Sequence, residues 1–325
     1  MSRLQFVWVP ALAAVSALVG SQYAGAQQPV GSSPSSRDLT WAFAVGGKEQ
    51  PPEPDPKEVV KLPGSDKSYT REQIDDLTNT MDWFPGEHPP APVAVIGAPG
   101  RKAVACASCH LMSGGGHPGS ASLDGLPAEY IQRQMAYFRN DTRKAIRMNA
   151  IAKTVTPQED REAAEFFAGL KPTKFIRVIE ADMVPETYVT RFRERYVKKG
   201  GKMEQLGERI IEVPEDAERV DARDPHSGFV AYVPKGSIKK GETLAMTGGN
   251  GRTVQCAICH GEGLKGLGDV PRLANLHPIY VARQLYDMKR GESSGKMAQL
   301  MKQVVANLTD DDILNLSAYV ASLQP

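Results

Sequence analysis

Two copies of one five-residue pattern constrain this chain more than anything else in it. The pattern reads Cys106-Ala-Ser-Cys109-His110 and returns as Cys256-Ala-Ile-Cys259-His260. Cys-x-x-Cys-His is the attachment signature of a c-type haem: two thiols add to the porphyrin vinyl groups and the adjacent imidazole binds iron. A zinc site needs further Cys or His ligands at finger spacing, and all four cysteines already lie in these two motifs. A redox dithiol of the thioredoxin kind sits in a βαβ unit and has no use for a histidine directly after it. The expectation is two covalently attached haem c groups, on Cys106 and Cys109 and on Cys256 and Cys259. His110 and His260 are then the proximal iron ligands.

The N-terminus reads as an export signal, with Arg3 as the positive start, Phe6 to Gly20 as the apolar core and Ala24-Gly25-Ala26 as the small-residue cleavage site. The mature chain is expected to begin near Gln27. The apolar run is shorter than the ~20 residues that span a bilayer, so no membrane span is expected once the signal is removed. Because c-type haem is attached outside the bacterial cytoplasm, signal and motif together predict a periplasmic protein. A formal net charge of +1 over 325 residues gives no electrostatic reason to expect nucleic acid or an anionic membrane as partner.

Along the chain, residues 1–26 are the signal and 27–92 a Pro-rich extended arm, exemplified by Pro51-Pro52-Glu53-Pro54. One helix is expected in the arm, with Thr70 as N-cap and Gln73 closing a capping box. Trp41, Phe43, Trp83 and Phe84 are expected to pin the arm to the body. Residues 93–171 form a first helical unit, with helices near Leu126-Pro127 and at Thr156-Pro157. Residues 172–235 are a connector with three short strands: Phe175 to Ile179, Arg209 to Val213 and Phe229 to Val233. An Arg- and Lys-rich helix is expected near Thr187 to Lys199. Residues 236–325 form a second helical unit, with helices near Ser237, from His277 to Lys289, and from an N-cap at Thr309. The fold class expected is mainly α, two helical domains joined by a small β-containing connector.

The two units are an internal repeat. At a displacement of 150 positions, Leu123, Leu126, Tyr130, Arg133 and Gln134 meet identical residues Leu273, Leu276, Tyr280, Arg283 and Gln284, while Gly125 meets Asn275. Further on the displacement becomes 153, and Met148 to Thr156 meets Met301 to Thr309. A histidine-ligated iron that only passes electrons needs a second axial ligand, and methionine sulfur favours the ferrous state. The register nominates Met148 and Met301, each on a loop before the last helix, with Met297 as rival to Met301. Met135 and Met288 fall on apolar helix stripes and are assigned to the core. His117 and His277 have no histidine counterparts and are read as surface or hydrogen-bonding residues.

Each unit resembles a class I c-type cytochrome domain, in the order motif, loop, helix, Met segment, C-terminal helix. In tandem they resemble dihaem cytochromes of the cytochrome c4 type. The second unit carries the pattern more fully, in Cys256-x-x-Cys-His-Gly261, Pro271-x-Leu273, Tyr280-x-x-x-Gln284-Leu285 and Leu308-Thr-Asp-Asp-Asp-Ile313. The resemblance implies that Pro271 offers its carbonyl to the proximal imidazole. In the first unit Ala121 stands at the Pro271 position and Leu111 replaces the glycine after the motif. The expected function is single-electron transfer, with no enzymatic role, from a periplasmic dehydrogenase to a terminal oxidase or another cytochrome. A cytochrome subunit of a quinoprotein or flavoprotein dehydrogenase is the alternative. A dihaem peroxidase fits less well, since both units have a matched Met, and a dihaem thiosulfate dehydrogenase would want a spare cysteine ligand.

Overall fold

The computed structural model describes residues 38–47, 54–190 and 193–325. The expected signal over residues 1–26 and the prolines at 51 and 52 lie outside the described residues. All described residues belong to one compact unit.

The arm holds an antiparallel hairpin, β1 (Val59–Lys61) and β2 (Ser68–Thr70), then a short helix α1 (Arg71–Asp75). Thr70 caps α1 in a reciprocal capping box with Gln73, as its sequence predicts. The hairpin is an addition to the extended conformation expected. Trp41 joins a core cluster with Leu244, Tyr286 and Leu314, whereas Trp83 packs on Leu62, Ile74 and Met81. The Trp83 indole also donates to the Ala222 carbonyl at 2.8 Å, which anchors the arm to the connector.

Four helices surround the first motif and follow it: α2 (Val93–Ile96), α3 (Ala107–His110), α4 (Ala128–Arg139) and α5 (Ile146–Ala152). A fifth, α6 (Pro157–Ala168), is capped by Thr156 and Glu159. Ala94, Val95, Ile131, Ala164 and Phe167 bury the faces of α2, α4 and α6 in one cluster.

The connector contains β3 (Ile176–Glu180), β4 (Met183–Pro185), β5 (Thr187–Val189), β6 (Arg195–Val197), β7 (Met203–Gln205), β8 (Ile211–Pro214), helix α7 (Ala217–Asp221) and β9 (Phe229–Val233). The main sheet runs β3-β9-β8, with β3 parallel and β8 antiparallel to β9. β9 is central, and its apolar run Phe229 to Ala231 is buried, as expected of a strand covered on both faces. Where a helix was expected near Thr187 to Lys199, the described residues form the antiparallel hairpin β5–β6 instead. Tyr188 and Tyr196 pair across it with ring centroids 6.0 Å apart. β-Branched and aromatic side chains favour a cross-strand pair over the helix that the basic residues alone suggested.

The chain ends in α8 (Ser237–Thr247), α9 (Ala257–His260), α10 (Pro278–Arg290), α11 (Ala298–Val305) and α12 (Asp310–Ser322). Thr309 caps α12 in a capping box with Asp312. Helices with a small sheet thus make up the architecture. No helix among the described residues is long and apolar enough to cross a membrane.

Candidate haem sites

Each motif forms one helical turn, α3 or α9, that ends on its histidine. The next residue turns the chain with positive φ: 62° at Leu111 and 76° at Gly261. Gly261 is needed there, since a Cβ would lie 2.3 Å from the Gly266 carbonyl oxygen. Leu111 takes the same backbone at a cost of about 1–3 kcal/mol of local strain. The return loops match in detail. Gly116 N–H donates to the His110 carbonyl at 3.1 Å and Gly266 N–H to the His260 carbonyl at 2.8 Å. Positive φ recurs at Gly114 and Leu264, and at Gly125 and Asn275. The one mismatched pair among those six, Gly125 and Asn275, is therefore a left-handed position, which Gly and Asn both tolerate.

The imidazoles are buried and oriented alike. His110 Nδ1 donates to the Ala121 carbonyl at 2.8 Å, and His260 Nδ1 to the Pro271 carbonyl at 2.8 Å. The departure at Ala121 costs nothing here, because the acceptor is a backbone carbonyl that any residue supplies. With Nδ1–H engaged, the Nε2 lone pair is left for a metal. Burial holds both imidazoles below the usual histidine range, which favours the neutral form that ligates. Burial likewise pushes the Cys106 thiol up to about 12.

The residues around the first motif fit a porphyrin. A cavity of about 750 Å³ is lined by Cys106, Cys109, His110, Met135, Met148 and Phe167, among others. All four cysteines are free of disulfides. Among the described residues, no group of three or more His, Cys, Asp or Glu is placed to hold a metal ion by itself. Met148 lies on α5 and Met301 on α11, so both sit on short helices where loops were expected. Met301 and Cys256 pack on one core cluster with Leu285 and Met288. Met297 is the N-cap of α11, its N–H donating to the Tyr137 hydroxyl at 3.1 Å. Met288 is core, as expected, while Met135 lines the first cavity beside Met148.

Several buried polar residues near the sites had no local signal in the sequence. His277, expected at the surface or in a hydrogen bond, is wholly buried. Its Nδ1 meets Glu212 Oε1 at 2.6 Å and its Nε2 the Gly115 carbonyl at 3.2 Å. Arg272 binds the Asp124 carboxylate at 2.8 Å and both the Asp124 and Ala274 carbonyls. Arg143 donates to Gln134, Tyr280 and Gln284 at 2.7, 2.9 and 2.5 Å. His117 lines the first cavity, and burial drives it down to about 3.

Fold and site together define a helical protein with c-type attachment chemistry, and comparison with known proteins gives the family. The cytochrome c family model matches residues 238–324. Cytochrome c-554(547) of Halothiobacillus neapolitanus is 35% identical over 77 residues, covering 21% of this chain and 85% of that protein. Cytochrome c4 of Azotobacter vinelandii is 32% identical over 100 residues, 26% of this chain and 48% of its own length, so the chain spans about half of that relative. The thiosulfate dehydrogenase electron acceptor of Thiomonas intermedia is 25% identical over 237 residues, 71% of this chain and 84% of that protein. The chain belongs to the cytochrome c family. It is an electron-transfer cytochrome, and its family implies covalently bound haem c.

Proposed function

We propose that this is a periplasmic dihaem cytochrome c that relays single electrons from a dehydrogenase to a terminal oxidase or another cytochrome. One haem is carried by Cys106 and Cys109 and the other by Cys256 and Cys259. The axial pairs are His110 with Met148 and His260 with Met301. The observation that carries this reading is the repeated proximal geometry, an imidazole Nδ1 donating at 2.8 Å to a carbonyl eleven residues on, at both motifs. When bound, haem supplies a ferric–ferrous couple. The protein's part is to hold each imidazole in one tautomer, place a thioether sulfur opposite it and exclude water. The parts are a signal over 1–26, an arm over 27–92, cytochrome domains at 93–171 and 236–325, and a connector at 172–235.

A second reading, a cytochrome dedicated to one dehydrogenase, draws support from the relative named a thiosulfate dehydrogenase electron acceptor, which aligns over most of the chain. The test begins with haem content by pyridine haemochrome, for which two per chain is expected. The ferric far-red sulfur-to-iron band should fall by half in Met148→Ala and by half in Met301→Ala. Met297→Ala or Met135→Ala halving it instead would refute the ligand assignment. A high-spin ferric signal in the wild-type protein, or peroxide turnover, would refute the carrier reading. Reduction of the ferric protein by thiosulfate and its dehydrogenase, and co-purification with that enzyme, distinguish a dedicated acceptor from a general relay.

A further inference from the structure

The two motifs differ sharply in cover. Ala107 and Ser108 of the first are 2% and 7% exposed, whereas Ile258 of the second is 62% exposed and Cys259 lies at the surface. The cover over the first is built by the arm and the connector. The Leu77 carbonyl accepts from Ala105 N–H at 2.8 Å. Thr80, Met81 and Trp83 face Ala107, Leu111 and Met112 across a water-sized void, and Arg223 lines that same void.

Arg223 is costly where it stands. Its φ is +56°, a conformation that a long side chain takes only under constraint. Its Nη1 is buried with no hydrogen-bond partner among the described residues. The residue is half-buried, and an unpartnered buried N–H on a charged group is costly. The turn that presents it is firmly made. The Ala222 carbonyl accepts the Trp83 indole, and the buried Asp224 carboxylate accepts from Arg219 Nε at 2.6 Å and His226 N–H at 2.8 Å. Asp75, Asp76 and Glu194 lie within electrostatic reach of Arg223, but none makes an ion pair with it within 4.0 Å. The Cys109 sulfur is within the same reach. Arg223 thus lies on the side of the first motif's attachment cysteines.

We propose that Arg223 is a positioning residue for electron transfer: a half-buried cation beside the first attachment motif that raises the reduction potential of the haem held there. The proposal rests on the assignment of a haem to Cys106 and Cys109. Loss of an electron adds positive charge to the haem, and a nearby fixed cation in a water-poor site disfavours that state. At a separation of roughly 10 Å and an effective dielectric of about 20, one charge changes the ferric–ferrous ratio about tenfold, or about 59 mV for one electron. The cover differs at the second motif, where Ile258 stands exposed at the position of the buried Ser108.

The test is a spectroelectrochemical titration of the holoprotein, with haem content measured alongside. In Arg223→Met, one of two one-electron steps should move to lower potential by about tenfold in the ferric–ferrous ratio, with the other unmoved. Arg223→Lys, which keeps the charge, should titrate like the wild type. Both steps unmoved in Arg223→Met, or Arg223→Lys shifting as far, overturns the proposal. If Arg223→Met loses haem, Arg223→Gln carries the test. If both neutral variants lose the first haem while Arg223→Lys retains it, the charge serves folding and the proposal fails. A wild-type protein with one haem per chain instead refutes the haem assignment on which the proposal stands.

Discussion

At the scale of single residues, the chemistry depends on groups whose protonation is set by burial. Burial favours the neutral form of both motif imidazoles, and one carbonyl aims each of them, with the Ala121 carbonyl serving as well as that of Pro271. Asp124 is a different case. Burial raises its carboxyl from 3.8 to about 6, outweighing the pull of Arg272. The folded chain therefore binds this proton more tightly than the unfolded chain. Its contribution to stability is fully present below pH 3.8 and is lost as pH rises through about 6. We expect the urea midpoint of the wild type, relative to Asp124→Asn, to fall across that window. A difference between the two proteins that stays flat from pH 4 to pH 6 would contradict this.

Among the elements, helix ends were readable because their signals are local. Thr70, Thr156 and Thr309 each cap a helix with the residue three positions on closing the box. The crossing of α8 on α12 was not readable. Gly241 sits in the middle of α8, where glycine weakens a helix by about 1 kcal/mol. Its reason is the neighbour, since a Cβ there would lie 2.0 Å from the Asn315 carbonyl oxygen on α12. Gly241→Ala should cost about 1–3 kcal/mol through overpacking, despite the better helix propensity. Denaturant unfolding of the haem-bound protein measures it, and an unchanged midpoint would show that the helices separate freely. The β5–β6 hairpin teaches the same point from the other side. Its Tyr188–Tyr196 pair exists only once the two strands meet.

For the molecule as a whole, the repeat becomes a contact. Arg143 and Ser293, equivalent positions 150 residues apart, form a β-bridge with each other. Around it, Gln134 of α4 and the equivalent Gln284 of α10 share the Arg143 guanidinium. The two helices thus meet about an approximate twofold axis. Beside them, His277 joins three parts of the chain: its own helix α10, Glu212 on β8 and the Gly115 carbonyl in the loop after the first motif. Both ring nitrogens lie against oxygen acceptors, the Glu212 carboxylate and the Gly115 carbonyl. Leaving a buried polar group without its partner costs about 1–3 kcal/mol. Glu212→Gln should lower stability by that order, and chemical denaturation would show it. A loss under about 0.5 kcal/mol would mean that the contact is not part of the buried polar network.

The sequence by itself determined the two candidate attachment motifs, the helix caps, the three strands of the main sheet, and the repeat that sets Met148 against Met301. Each rests on covalent chemistry or on residues a few positions apart. The tertiary structure alone decided that Ala121 replaces Pro271 as acceptor, that His277 is a buried tie, that the region near Thr187 is a hairpin, and that the first motif is roofed while the second is open. Those outcomes depend on partners up to about 165 residues away, as where Arg283 donates to the Pro118 carbonyl. No local pattern encodes such a meeting, because it is the burial of both partners together that makes it favourable.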